Sequence, residues 1–206
     1  MTRTAMETTI DRMERRDDDE RRIRLKFQHA DLTRLHDYWH ARCRDGGLPL
    51  RGDIDPVDLG WMLDRISLFE CHEGSAPGQP VRFRCRVAGT WYRQRFDFEA
   101  NGSWLESWPD LAMRDSVAAF YRLIHADGKA RRVVRDCSAD GVATAYEGAG
   151  LPLAAGTAAE GRPGAGGAPG AGGVAMILVG AAPVTEPDLT GLRLIHAAGP
   201  YRSWSS

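Results

Sequence analysis

The chain has 206 residues, a net charge of -1, and 43% hydrophobic against 27% charged residues. This is ordinary globular usage at a length that fills one core, which excludes a wholly disordered chain and the basic field a nucleic-acid backbone requires. No apolar run approaches the ~18 residues that cross a bilayer, and Asp17, Asp18, Asp19 and Glu20 stand where a secretory leader needs an apolar stretch, so a soluble, cytoplasmic protein that binds neither nucleic acid nor membrane is expected.

The positive charge is almost entirely arginine, since Lys26 and Lys129 are the only lysines. Cys43, Cys71, Cys85 and Cys137 form no short paired motif and read as reduced thiols, outside any disulfide or zinc framework.

Residues 1–28 are charge-rich with few apolar positions and read as a flexible N-terminal segment. A helix capped by Asp31 follows, its stripe Leu32, Leu35, Trp39 and Cys43 at helical spacing, ended by Gly46 and Gly47. A short extended piece leads to Asp55 and Pro56, a cap followed by proline at the first helical position. That pair predicts a second helix with Leu59, Met62, Leu63 and Ile66 on one face and Gly60 inside it.

Residues 67–72 suit a strand, and Val81, Phe83, Cys85 and Val87 alternating with Arg82, Arg84 and Arg86 predict a second, antiparallel to it. A short helix over 91–98, a turn at Asn101 and Gly102, and a long helix over 110–126 come next. The long helix carries Met113, Val117, Phe120, Tyr121 and Ile124 on its apolar side and Gly128 beyond its end. Three further strands are expected at 131–137, 142–152 and 174–182, the last a continuous apolar run suited to a central position. Residues 154–173, rich in glycine, alanine and proline, read as a flexible loop joining two strands, and 185–206 as a tail without periodicity.

Strands grouped on both sides of a helical middle predict an α+β fold: one five-stranded antiparallel sheet with helices on a single face. The folded part is expected over 29–184.

Several constellations could carry chemistry. His36, His40 and Cys43 lie at i, i+4 and i+7, but a metal site needs a fourth ligand that nothing nearby supplies, so no metal is expected. Asp53, Asp55 and Asp58 could act as paired carboxylates; Asp55 and Asp58 are better explained as helix-start residues. No Gly-x-Ser-x-Gly, His-Glu-x-x-His or phosphate-binding glycine loop occurs, and no catalytic residue is assigned. Trp91, Phe96, Trp104 and Trp108 are an aromatic concentration able to floor a pocket.

Asp53-Ile54-Asp55-Pro56, the strand ending in Gly89-Thr90, Asn101-Gly102-Ser103-Trp104-Leu105 and Leu151-Pro152-Leu153 together resemble the single-domain bacterial PAS group over residues 30–184. The stretch after Leu153 is longer than the turn expected there, and Lys129-Ala130 departs from the usual exit of the long helix. The resemblance implies a PAS sheet whose concave face, covered by helices, holds a small apolar ligand or side chains alone. Pocket candidates are then Trp91, Phe96, Trp104, Phe120, Tyr121 and His125. His125 is included because haem-binding PAS domains carry an axial histidine on the corresponding helix. No cofactor is assigned.

The expected role is a non-catalytic sensory or regulatory domain acting by ligand binding, protein binding or both. With about 20 residues after the last strand, its signal is expected to leave through a protein partner or a homodimer, for which Arg82, Arg84 and Arg86 are candidate contacts. The alternatives are a small cone-shaped α+β enzyme acting on an apolar substrate and a haem sensor.

Overall fold

The computed structural model describes residues 25–43, 47–74, 76, 78–139, 142–154 and 173–184. Most of the charged segment 1–28, the glycine-rich loop apart from its two ends, and the tail 185–206 lie outside the described residues.

The described chain forms three helices, α1 (Ala30–His40), α2 (Thr90–Phe96) and α3 (Leu111–Asp127), and five strands: β1 (Ile66–His72), β2 (Arg82–Ala88), β3 (Arg131–Ala139), β4 (Val142–Leu153) and β5 (Met176–Val184). All pairings are antiparallel and the strand order is β2-β1-β5-β4-β3. The fold is the expected α+β one, with β5 in the middle of the sheet.

Local chemistry accounts for most of these elements. Asp110 caps α3 by accepting from the amide of Met113, and Gly128 closes it at φ 64, a left-handed position that costs glycine little. The cap of α1 differs from the expected one: His29 Nδ1 accepts from the Asp31 amide, while Asp31 is ion-paired with Arg65 at 2.6 Å.

The helix expected after Pro56 is absent. Residues 56–62 form turns closed by i to i+3 hydrogen bonds, Leu59 to Pro56, Gly60 to Val57 and Met62 to Leu59, and a 3-10 turn follows at Leu63–Arg65. Gly60 weakens a helix intrinsically, and only Leu59 and Met62 of the proposed face are buried within the segment, Leu63 being exposed. Ile66 already belongs to β1.

The helices are divided between the two faces of the sheet, which revises the single-face arrangement while leaving the fold class as expected. Successive strand residues point to opposite faces. Leu68, Leu151, Leu178 and Ala182 join Leu32, Leu35 and Trp39 of α1, whereas Phe69, Ile177 and Val179 join Val117, Phe120 and Ile124 of α3. A strand covered on both sides must be apolar at every position, which is why β5 reads as an unbroken run.

The Gly-Thr element at 89–90 has a steric reason. A Cβ on Gly89 would stand 2.1 Å from the Asp64 carbonyl oxygen, so only glycine lets β2 turn into α2 against the 3-10 segment.

Candidate functional site

The α3 face of the sheet is concave and incompletely filled. Ser67 and Phe69 of β1, Val179 and Ala181 of β5, Tyr146 and Gly148 of β4, and Val133 and Arg135 of β3 form its floor. Tyr92 and Phe96 of α2 and Met113, Val117, Phe120 and Tyr121 of α3 form its roof. The register places Ser67 opposite Val179, Ala181 opposite Gly148 and Tyr146 opposite Arg135. Gly148 supplies no side chain at the centre of this floor, and a cavity of about 50 Å³ remains. A single water needs about 10–15 Å³ on this measure, so the space takes a few waters or a compact molecule.

The wall is apolar except at a few points. Ser67 is 1% exposed, and its Oγ and the buried hydroxyl of Tyr92 have no hydrogen-bond partner. The two are close enough for the Ser67 hydroxyl to draw the Tyr92 phenol down against the larger effect of burial, yet neither makes a hydrogen bond of good geometry. An unsatisfied buried polar group costs about 1–3 kcal/mol, so two beside one cavity is a combination to be explained.

Burial holds the phenols of Tyr92 and Tyr121 well above the usual tyrosine range, so both stay protonated at neutral pH. Arg135 Nη1 donates to Ser116 Oγ at 2.6 Å, tying the edge strand β3 to α3. Among the described residues, the lining contains no Asp, Glu, His or Cys.

Of the aromatic residues singled out from sequence as pocket-forming, the structure brings Phe96, Trp108, Phe120 and Tyr121 together at the cavity. Trp91, Trp104 and His125 lie outside its lining. Trp91 packs edge-on against Tyr92, Phe96 and Tyr146 beside it. Trp104 bridges to Arg84 of the edge strand, contacts the His72 ring and lies under the Arg82 guanidinium at 4.2 Å. His125 is one position past the inward-facing Ile124, so it is turned aside, and its Nε2 is 3.1 Å from Glu73 Oε1.

The arginines of β2 also have intramolecular partners. Arg82 Nε is 3.5 Å from Glu106, Arg84 Nε donates to the Gly102 carbonyl at 3.3 Å, and Arg86 Nε is 3.3 Å from Glu70. Asp53 and Asp55 accept from the backbone amides of Leu50 and Val57, and Asp58 pairs with Arg42. Among the described residues no three potential metal ligands gather, and no helix is long and apolar enough to cross a membrane.

Sequence reasoning passed over Ser67, Tyr92 and Arg135. Ser67 had a legible signal, a hydroxyl inside the apolar run Ile66 to Phe69. Arg135 had none, because on an edge strand an arginine ordinarily points to water.

A second arrangement lies on the opposite face. Glu147 of β4 is fully buried and ion-paired with Arg132 of β3. Its carboxylate also accepts from the amides of Gln28, at 3.0 and 3.1 Å, and His29, at 3.0 Å, pinning the chain as it enters α1.

A family model described as a PAS domain matches residues 27–145, more than half of the chain. No curated protein matches. Among solved structures, the PAS domain of BvgS from Bordetella pertussis is similar at 17% identity and a TM-score of 0.42, over 63% of this chain and 83% of that one.

Proposed function

This chain belongs to the PAS domain family, a family of sensory and regulatory domains, and on that premise we propose that it works without catalysis, by holding a small molecule in the cavity between its sheet and α3. The observation that carries this reading is the pair of buried, unpartnered hydroxyls on Ser67 and Tyr92 at an otherwise apolar cavity. Ligand pockets are built in this way, apolar walls with a few convergent polar groups. Neither phenol is ionised near neutrality, and the absence of a carboxylate or imidazole from the described lining favours recognition over general acid-base chemistry.

The output of such a domain is a protein contact, either a partner or a second copy. Glu147 supports a route for it. The carboxylate stands on β4, the strand that carries Tyr146 and Gly148 into the cavity, and holds the Gln28 and His29 amides on the other face. A change in β4 on ligand binding thus reaches the start of α1.

The test is native mass spectrometry of the chain purified from its own host, beside Ala181→Val, which adds two methyl groups at the cavity floor. Retention of a small molecule by the wild type and its loss from the folded variant is expected. An empty wild type that still regulates its partner would sink the proposal.

A further inference from the structure

Arg135 is the single charged residue in the described cavity lining. A guanidinium carries five N–H donors. Its Nη1 donates to Ser116 Oγ, and among the described residues no carboxylate lies within ion-pair distance of it. The other arginines of β3 are matched with acids, Arg132 with Glu147 and Arg131 with Asp127, and on β2 Arg82 meets Glu106 and Arg86 meets Glu70, while Arg84 donates to the Gly102 carbonyl. Charges drawn away from water are normally paired, so the half-buried Arg135, at the cavity wall without an acid, is the exception on its own strand.

Its surroundings suit an anion. The Tyr121 phenol beside it stays neutral, Val133 and Gly148 offer an apolar floor, and Ser116 holds the guanidinium in place from α3. The planar guanidinium fork matches a carboxylate in two parallel hydrogen bonds. The rest of the wall is apolar apart from the hydroxyls of Ser67 and the tyrosines, and the cavity is about 50 Å³. A hydrated inorganic ion gains little from such walls, whereas a short carbon chain fills them.

We propose that the cavity ligand is a short-chain monocarboxylic acid whose carboxylate sits on Arg135, positioned by Ser116, and whose carbon body lies over Gly148 and Val133. This rests on the cavity being a ligand site and names what it takes.

The test uses butyrate and butyramide, nearly equal in size and shape but different in charge, titrated by NMR against the full chain and its variants. Butyrate is expected to bind about tenfold or more tightly than butyramide, in keeping with hydrogen bonds to charged groups. Arg135→Met should abolish that preference. Ser116→Ala, which keeps the charge, should weaken butyrate several-fold and leave butyramide unchanged, so the inference stays testable if Arg135→Met fails to fold. Butyramide binding as well as butyrate to the wild type, or butyrate affinity unchanged in both variants, overturns the carboxylate while leaving the cavity as a site. Binding of neither probe to the wild type overturns this inference, and an empty host-purified protein that still regulates its partner overturns the cavity reading beneath it.

Discussion

Glu147 is fully buried and meets Arg132 together with two backbone amides. Removing one partner of such a pair leaves the other charge buried and unsatisfied, which costs far more than the pair itself contributes. Glu147→Ala should therefore lower unfolding free energy by about 3–5 kcal/mol in urea titrations, with loss of hydrogen-exchange protection at the Gln28 and His29 amides. A loss below about 1 kcal/mol would mean that water reaches Arg132. Cys71 and Cys85 give a pH effect of definite sign. Burial, with smaller help from Glu73 and Glu99 respectively, pushes both thiols from 9.0 up to about 12. The folded chain keeps thiol protons that the unfolded chain releases from about pH 9, so this stability is complete below pH 9 and falls as pH rises toward 12. Denaturation at pH 8 and pH 10.5 should show a steeper loss in the wild type than in a Cys71→Ala, Cys85→Ala double variant. Parallel curves would contradict it.

Among the elements, the junction of β2 and α2 is the tightest. Gly89 sits against the Asp64 carbonyl, where a Cβ would lie at 2.1 Å, and the atoms in the way are backbone. A flexible side chain can move aside, but here the 3-10 segment itself must shift. Gly89→Ala is expected to cost about 3 kcal/mol, the upper end for overpacking. Asp110→Ala, which removes the α3 cap bond to Met113, should cost about 1 kcal/mol. The two variants measured together by chemical denaturation test the ranking: an Asp110 effect larger than the Gly89 effect would show that the junction relaxes freely. Close approach also shapes β4, where a Cβ on Gly150 would stand 2.4 Å from Ile124 Cδ1 and 2.8 Å from Phe120 Cε1. Glycine at that position lets α3 lie close on the sheet.

For the molecule as a whole, the sheet separates two cores. The α1 side is locked by Glu147; the α3 side keeps the cavity and its unpaired hydroxyls. The difference predicts opposite responses to one substitution. In ligand-free protein, Ser67→Ala removes an unsatisfied buried hydroxyl and should raise stability by about 1 kcal/mol. In protein saturated with a ligand that reaches Ser67, the same change should lower stability, because a hydrogen bond made in the complex is lost. Ligand at a hundred times its Kd should add about 2.7 kcal/mol to the wild type. Thermal unfolding with and without ligand reads both, and a stabilising effect of Ser67→Ala in each state would show that the hydroxyl has no ligand partner.

The sequence by itself determined the five strands, the α1 and α3 helices, the glycine that ends α3 and the central place of the last strand, because alternation, helical spacing and helix-end signals are local properties of the chain. It also held the sign that both faces are covered: residues 176–179 are apolar without a break, which one solvated face would not produce. Tertiary structure decided the rest. The segment after Pro56 carries helix-start signals yet forms i to i+3 turns, since packing of Leu59 and Met62 outweighs a weak propensity. Phe96, Phe120 and Tyr121 could be expected at a pocket from their place in the family pattern, but Ser67, Tyr92 and Arg135 meet only through pairings of residues far apart in the chain. Glu147 and Gln28 are 119 positions apart, and no local pattern in sequence can place a carboxylate beneath an amide at that separation.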